Sequence, residues 1–203
     1  MARAGLTADR VAEAAAELAD EAGFANVTVS ALARRFRVAD ASLYSHVRNL
    51  QELRTRVAVR AARELADALT PAVAGRSGRD ALVAFAGAYR TFALAHPGRY
   101  TATQIQLPAE TVARSAGHLQ IIETTYATLR AFRLAEPDLT DAVRLLRSTV
   151  HGFVSLEGSG GFGHPRDVTA SWDRAIGALA HLLAHWPAPE PAVPSEPPAP
   201  EGG

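Results

Sequence analysis

The chain has 203 residues and no cysteine, which excludes disulfides, cysteine-ligated zinc and thiol catalysis. Its 21 basic residues balance 21 acidic ones, and charged residues interrupt every apolar run before it could span a membrane. Hydrophobic residues make up 48% of the chain, which is enough for a sizeable core. The acidic opening segment is unlike a secretory signal, so we expect a cytoplasmic protein without a membrane partner.

Apolar residues at helical spacing predict three helices near the start of the chain. Thr7 caps the first helix and Gly23 ends it. Thr28 is placed to cap a second, short helix over 29–36, and a third, short helix follows over about 40–47.

The rest of the chain also predicts helices and no strand. A long fourth helix begins at Leu50 and ends before Pro71. A fifth helix is ended by Pro97 and Gly98, and another begins near Pro108. Two very regular stripes follow, over 139–153 and 172–186, joined by a glycine-rich loop.

The predicted fold is therefore all-α, with about nine helices. We expect an N-terminal three-helix domain over 1–53, a C-terminal helical domain over 54–186 and a disordered proline-rich tail over 187–203.

Positive charge is concentrated in one segment of this neutral chain. The segment from Thr28 to Arg63 holds eight arginines against Asp40 and Glu52, a net charge of +6. Such a local excess indicates an anionic partner, although part of it, Arg54 to Arg63, also fits a solvated helix face.

An ordinary three-helix packing unit would explain the apolar anchors of the stretch from Ala31 to Asn49, ALARRFRVADASLYSHVRN, but not its outward residues. Leu32, Leu43 and Val47 are spaced to anchor helices two and three in a core. The outward set consists of small or hydrogen-bonding residues: Ser42, Tyr44, Ser45 and His46. A short helix with such a surface can enter the major groove of DNA, so the pattern predicts a helix-turn-helix.

The segment from about Arg10 to Leu53 resembles the DNA-binding domain of the tetracycline-repressor (TetR) family. The resemblance is carried by Gly23-Phe24, by Thr28-Val29 and by Leu43-Tyr44-x-His46. Further on, STVHGFVSLEGSGGF, Ser148 to Phe162, is similar to the C-terminal domain of one subgroup, which carries a His-Gly-hydrophobic-x-x-Leu-Glu (WHG-like) signature. The resemblance implies an all-helical, homodimeric, ligand-responsive transcriptional regulator.

Three positions depart from the family pattern. Arg37 stands in the turn where the family usually has glycine, and this is expected to strain the backbone. Ala39 stands where a serine usually caps helix three, so Asp40 is expected to cap it. Leu50 replaces a lysine that often holds a phosphate, a contact that Arg48 is expected to take over.

The expected DNA contacts lie on helices two and three and just after them: Thr28, Ser30, Asp40, Ala41, Ser42, Tyr44, Ser45, His46 and Arg48. Thr28 and Arg48 are expected to hold the backbone, while Tyr44 and His46 contact bases or phosphates. Arg3 is expected to enter the minor groove as a flexible arm.

The family resemblance also places a ligand cavity and a dimer interface in the C-terminal half. Aromatic residues with a few polar tips suit a small amphipathic or aromatic ligand. The expected lining residues are Tyr89, Phe92, His96, Tyr100, Gln104, His118, Ile122, Tyr126 and His151. The expected interface residues of a two-fold four-helix bundle are Leu146, Val150, Phe153, Trp172, Ile176, Leu179 and Leu183.

No motif predicts catalysis, a metal or another cofactor. His181 and His185 are four residues apart but lack a third ligand nearby, and Ser155 lacks a nucleophile elbow. The favoured function is a sequence-specific DNA-binding regulator, a repressor released from operator DNA by an unidentified small molecule. The alternatives are a helical ligand-binding or protein-interaction module that has lost DNA binding and, less favoured, an enzyme.

Overall fold

The computed structural model describes residues 6–187, and within them every regular element is helical. The ten α-helices are α1 (Ala8–Ala22), α2 (Val29–Phe36), α3 (Asp40–Leu43), α4 (Leu50–Val73), α5 (Gly78–Ala95), α6 (Pro97–Thr103), α7 (Ala109–Arg114), α8 (Ala116–Leu129), α9 (Asp138–Gly158) and α10 (Val168–Ala184). The all-α prediction is confirmed, with one helix more than expected. The expected arm at Arg3 and nearly all of the expected tail lie outside the described residues.

The helix signals at the start of the chain are confirmed. The Thr7 side chain accepts a hydrogen bond from the backbone N–H of Arg10 and so caps α1. Gly23 ends α1 with φ +90°, a conformation that L-residues rarely adopt. Thr28 caps α2 in the same way, through the N–H of Ala31.

Proline positions account for two differences from the predicted helices. The prediction that helix four ends before Pro71 is wrong, because α4 continues to Val73. Pro71 is exposed in the last turn, where one lost backbone hydrogen bond is tolerated. Pro97 follows the end of α5 as predicted but also begins α6, where its fixed φ suits the first helical position.

The helix predicted from near Pro108 is two helices. Ser115 separates α7 from α8, and its side chain accepts a hydrogen bond from the N–H of His118, which caps α8. Gly117 then allows α8 to cross α4 closely, since a Cβ there would lie 2.5 Å from the backbone nitrogen of Arg63.

The long helix α4 belongs to both hydrophobic cores of the protein. Its first half, including Leu53 and Val57, packs with α1, α2 and α3, and its second half, including Leu65 and Leu69, packs with the C-terminal helices. The predicted boundary between residues 53 and 54 therefore falls inside a continuous helix.

None of the helices among the described residues has both the length and the apolar character needed to cross a membrane.

Candidate DNA-reading surface and ligand cavity

Helices α2 and α3 form a helix-turn-helix with a small, fully closed core. Leu32, Leu43 and Val47 are all buried, as their spacing predicted. Arg37 lies in the turn with φ 57° and ψ 46°, which is the left-handed conformation. The expected strain at this position is therefore present in the backbone geometry.

The third helix is shorter than predicted. It spans Asp40–Leu43 and passes into a turn over 44–46, where the carbonyl of Leu43 accepts hydrogen bonds from the N–H groups of His46 and Val47. Tyr44 is 53% exposed. Ala41, Ser42 and Ser45 are exposed beside it, and His46 is half-buried. The outward set thus forms one surface on α3 and the turn after it, and we call this surface, formed by Ala41, Ser42, Tyr44, Ser45 and His46, the reading surface.

Asp40 does not cap α3, contrary to the expectation. The cap position is Ala39, and no side chain accepts a hydrogen bond from the first turn. Instead the carboxylate of Asp40 accepts a hydrogen bond of 2.5 Å from the hydroxyl of Ser30 in α2. Asp40 is exposed at this point, so the bond joins two predicted contact residues and fixes the carboxylate at the edge of the reading surface.

The start of α4 is held by a compact polar arrangement. Asn49 caps α4 by accepting from the N–H of Glu52, and Glu52 accepts from the backbone N–H of Arg48 at 2.7 Å. This backbone bond, followed by the guanidinium of Arg56, lowers the pKa of Glu52 to about 2. The charged Glu52 carboxylate therefore stabilises the folded state fully at pH values above the ordinary pKa of a carboxyl group, and this stabilisation is lost as pH falls through about 2.

Ion pairs account for much of the positive charge counted in the sequence. Arg35 pairs with Glu17 and Glu21 of α1 at 2.7 Å, and Arg60 pairs with Glu13 at 3.0 Å. These acids come from a different part of the chain, so the charge count over 28–63 could not include them. Within residues 6–187, the exposed Arg34 and Arg37 have no ion pair, and they carry the net positive charge near the reading surface.

We expect Arg37→Gly to stabilise the protein by about 1 kcal/mol, because glycine adopts the left-handed conformation without steric cost. Urea-induced unfolding measures the change. The matched control is Arg34→Gly, which removes the same charge inside α2 and should destabilise by about 1 kcal/mol through helix propensity. Equal effects of the two substitutions would show that the turn is not strained.

A cavity of about 310 Å³ lies among the C-terminal helices, directly against α4. Its walls come from α4, α5, α8 and α9, and the end of α6 with the loop after it closes one side. Most of the surface is apolar, with Leu65, Phe85 and Ile121 among the lining residues. Polar groups are few, as in a typical small-molecule site.

The cavity includes only part of the predicted ligand set. The predicted residues that line it are Tyr89, Gln104, His118, Ile122 and Tyr126. Phe92 is not among the lining residues and is buried in the core. His96 is at the start of α6, where its Nδ1 lies 3.2 Å from a carboxylate oxygen of Asp20 in α1.

Tyr100 and His151 are not among the lining residues of the cavity. The Tyr100 hydroxyl lies 2.5 Å from Nδ1 of His151, and the Tyr100 ring packs edge-on against Tyr89 at 5.7 Å between centroids. Burial raises the pKa of both tyrosines, so both phenols stay protonated. Tyr100 therefore packs against the cavity-lining Tyr89, the exposed His151 contacts Tyr100, and neither of the two lines the cavity.

The lining residues that sequence reasoning missed come from every helix from α4 to α9 and from the segment between α6 and α7. Arg147 lines the cavity one turn from Val143 and Val150, and Thr103 and Leu107 line it as well. The periodicity of α9 marked the apolar positions next to Arg147, but it could not show that a cavity lies there.

Most residues of the predicted dimer interface lie inside the protomer's own core, which corrects that prediction. The buried residues are Leu146, Val150, Trp172, Ile176, Leu179 and Leu183, and Phe153 is half-buried against Trp172. Leu146 and Val150 also line the cavity. The stripes of α9 and α10 therefore serve the fold of one chain, and an interface would need other residues.

The signature residue Glu157 has a structural partner. The guanidinium of Arg90 donates to both its carboxylate oxygens, at 2.8 and 2.5 Å, and lies over the ring of Trp172. This contact ties α5 to α9 and α10. The assignment to the WHG-like subgroup stays a prediction.

The fold and the reading surface together define a class, a helix-turn-helix protein with a separate helical domain that contains a cavity. Comparison with known proteins gives the family. Residues 11–57 match the family model described as bacterial regulatory proteins of the tetR family, and residues 82–179 match the tetracyclin repressor-like C-terminal domain.

Curated relatives agree with the family models. The chain is 32% identical over 174 residues to the uncharacterized HTH-type transcriptional regulator YobS of Bacillus subtilis, covering 86% of this chain and 91% of YobS. It is 34% identical over 158 residues to the uncharacterized HTH-type transcriptional regulator Rv0681 of Mycobacterium tuberculosis, covering 77% and 72%. The chain therefore belongs to the TetR family of helix-turn-helix transcriptional regulators.

Among solved structures, Mycobacterium smegmatis BioQ matches with a TM-score of 0.68 and 25% identity, over 89% of this chain and 99% of BioQ. BioQ with its natural double-stranded DNA operator matches with a TM-score of 0.63 and 24% identity, over the same shares.

Proposed function

We propose that this regulator binds operator DNA as a homodimer through α2, α3 and the turn after α3, and represses transcription until a small molecule enters the cavity. The single observation that carries the DNA contact is the exposed polar surface around Tyr44, supported on a helix whose only buried side chain is Leu43. Such a surface has no role in the core, and it fits a major groove. The crystal structure of BioQ, which shares the fold, has been solved with its double-stranded DNA operator.

The proposed contacts divide into two kinds. Thr28, at the N-terminus of α2, and Arg48, whose side chain is 87% exposed, are placed to hold phosphates. Base edges are read from the reading surface, by the residues Asp40, Ala41, Ser42, Tyr44, Ser45 and His46, with Ser30 holding Asp40 in place. Arg34 and Arg37 add a general attraction to the phosphate backbone.

We expect the double variant Tyr44→Ala/Arg48→Ala to lose about 100-fold in affinity for the gene's own upstream region, since a base or phosphate contact is worth about 1–3 kcal/mol. A gel shift against random duplex measures this. The control is Arg144→Ala, which removes an exposed arginine on α9, far from the reading surface. Normal binding by the double variant would refute this contact assignment, and no preference of the wild type for its upstream region would refute DNA reading.

The homodimer is proposed to form through a surface different from the predicted one, because most of the predicted interface residues are buried inside the protomer. On α9 one flank of the helix carries no charge over the stretch that includes Thr149, Gly152 and Leu156; the first two are half-buried and Leu156 is 48% exposed. A Cβ at Gly152 would meet nothing within 4 Å, so this side is open to close approach. Two copies paired about a two-fold axis would place two reading surfaces on half-sites of one operator.

On α10 a strip beside the buried side also carries no charge of its own, although Arg166 and Arg174 lie next to it. It consists of Ser171, Ala175, Ala178 and Leu182, and Leu182 is 43% exposed. We name this strip together with Thr149, Gly152 and Leu156 the dimer face. Its residues lie on the flanks of α9 and α10, roughly a quarter turn around each helix from those that the stripes marked.

Ligand control is proposed to pass through α6 as well as α4. One end of α6 lines the cavity through Thr103, and the other end packs on α1, where Asp20 accepts hydrogen bonds from the backbone N–H and the guanidinium of Arg99. A ligand that shifts α6 therefore acts on α1 directly. Coupling of this kind is reciprocal, so DNA should weaken ligand binding by the same factor.

The rival proposal is a module that has lost DNA binding. One observation favours it: the carboxylate of Asp40 sits at the edge of the reading surface, where it repels phosphates. The gel shift above separates the two proposals. In either case we propose a cytoplasmic, non-enzymatic protein with domains over 1–53 and 54–186.

A further inference from the structure

The cavity is lined by charge of one sign. Among the described lining residues, Arg147 carries the only permanent charge, and there is no aspartate or glutamate. A ligand cation would therefore lose its hydration without finding a counter-ion, which is costly in a mostly apolar site. The lining disfavours cationic ligands and favours anionic ones.

Arg147 has no ion pair or hydrogen bond to any other side chain within residues 6–187. Its neighbours on the same helix and across the domain differ in this respect, since Arg144 pairs with Asp141 and Arg90 pairs with Glu157. The guanidinium of Arg147 thus keeps its full set of donors for solvent or for a bound anion.

The neutral polar groups of the cavity add further donors to those of this cation. Arg147, which is itself exposed, lines the cavity together with Tyr89 and Gln104. The Tyr89 hydroxyl lies 3.5 Å from Nε2 of Gln104. On another wall, burial lowers the pKa of His118, which therefore stays neutral near pH 7.

The apolar remainder of the cavity sets the size and character of the other end of a ligand. At about 310 Å³ the cavity is at the small end of the range for ligand sites, roughly 300–1,000 Å³. Phe85, Ile121 and Ile122 supply flat and branched apolar contacts. This volume suits one or two fused rings rather than a long acyl chain.

We propose that the cavity binds a compact aromatic monoanion, with a carboxylate on Arg147 and Tyr89 and the ring system among Phe85, Ile121 and Ile122. The proposal deepens the proposed function and rests on the cavity being the effector site.

Calorimetric titration of the full chain with three matched probes tests the proposal: naphthalene carboxylate, its neutral carboxamide and naphthylmethylamine. The carboxylate is expected to bind at least tenfold more tightly than the carboxamide, and the amine most weakly. Arg147→Gln should remove the preference and leave carboxamide affinity unchanged, whereas Arg147→Lys should keep part of it. Arg144→Gln is the matched control and should behave as wild type.

Three outcomes would overturn the proposal: equal binding of carboxylate and carboxamide, tighter binding of the amine, or no binding of any probe. A preference for the carboxylate that survives in Arg147→Gln would equally overturn the role of Arg147. A gel shift without ligand tests DNA binding separately, so failure of the ligand class leaves the proposed regulator intact.

Discussion

Leu182→Arg is expected to convert the protein into a folded monomer that binds its operator weakly. Leu182 is 43% exposed on the dimer face, so the monomer can accept an arginine there without a clash. In a two-fold dimer the substitution places two new positive charges in the interface, close to Arg174, which costs several kcal/mol. We expect the dimer dissociation constant to rise on the order of 100-fold or more.

The neighbouring residue supplies a control with the same change of chemistry. Leu183 is 1% exposed in the C-terminal core, so Leu183→Arg buries an unpaired charge and should prevent folding. Light scattering after gel filtration measures the mass, and circular dichroism measures the helix content. A Leu182→Arg variant that stays dimeric with full operator affinity would place the interface elsewhere.

The error in the predicted interface has a simple physical origin. A stripe at steps of three and four shows that one side of a helix is buried, but it does not show whether the chain or its partner buries it. The spacing of Leu179 and Leu183 is compatible with burial in the core of one chain and with burial against a partner chain. The dimer face has mainly small and polar residues, such as Ser171 and Ala178, so no apolar stripe marks it.

The helix-turn-helix was predictable because its signals are local. Thr28 caps α2 through a residue three positions away, and Leu43 lies four positions from Val47. The contact between Ser30 and Asp40 was not predicted, because it depends on how α2 and α3 pack. The misassigned cap at Asp40 follows from this, since a carboxylate that accepts from Ser30 has turned away from the first turn of α3.

The cavity was harder to predict than the reading surface. Its residues come from α4 to α9 and from the loop after α6, so no short stretch of sequence contains it. Ile122 and Tyr126 of α8 were named because the family resemblance placed a cavity in this half of the chain, while their spacing alone predicts only a helix. Arg147 was missed because an arginine between apolar positions normally marks the solvated side of a helix.

The contact between α6 and α1 is the closest backbone approach that a glycine permits in the described structure. A Cβ on Gly98 would lie 1.9 Å from the carbonyl oxygen of Ala19 and 2.5 Å from the backbone nitrogen of Asp20. These are backbone atoms of a helix, so they cannot rotate away as the end of a side chain could. Hydrogen bonds from Arg99 to Asp20 hold the same junction.

Gly98→Ala is therefore expected to force α6 away from α1. We expect a loss of about 3 kcal/mol in the free energy of unfolding, in the upper range for an overpacked site. Operator affinity should fall as well, because α1 supports α2 and α3 through the shared N-terminal core. Urea unfolding and the gel shift measure the two effects on the same preparation.

Gly87→Ala provides the matched control, since Gly87 lies within α5 and a Cβ there would meet nothing within 4 Å. This variant should be more stable than wild type by about 1 kcal/mol, the usual gain from alanine in a helix, with unchanged operator affinity. If Gly98→Ala behaves like Gly87→Ala, α6 does not bear on the reading surface, and the signal from the cavity must travel through α4 alone. The gel shift is run without urea, at a temperature where Gly98→Ala remains fully helical. If only Gly98→Ala then weakens DNA binding, the junction between Gly98 and Ala19 couples the cavity to the operator.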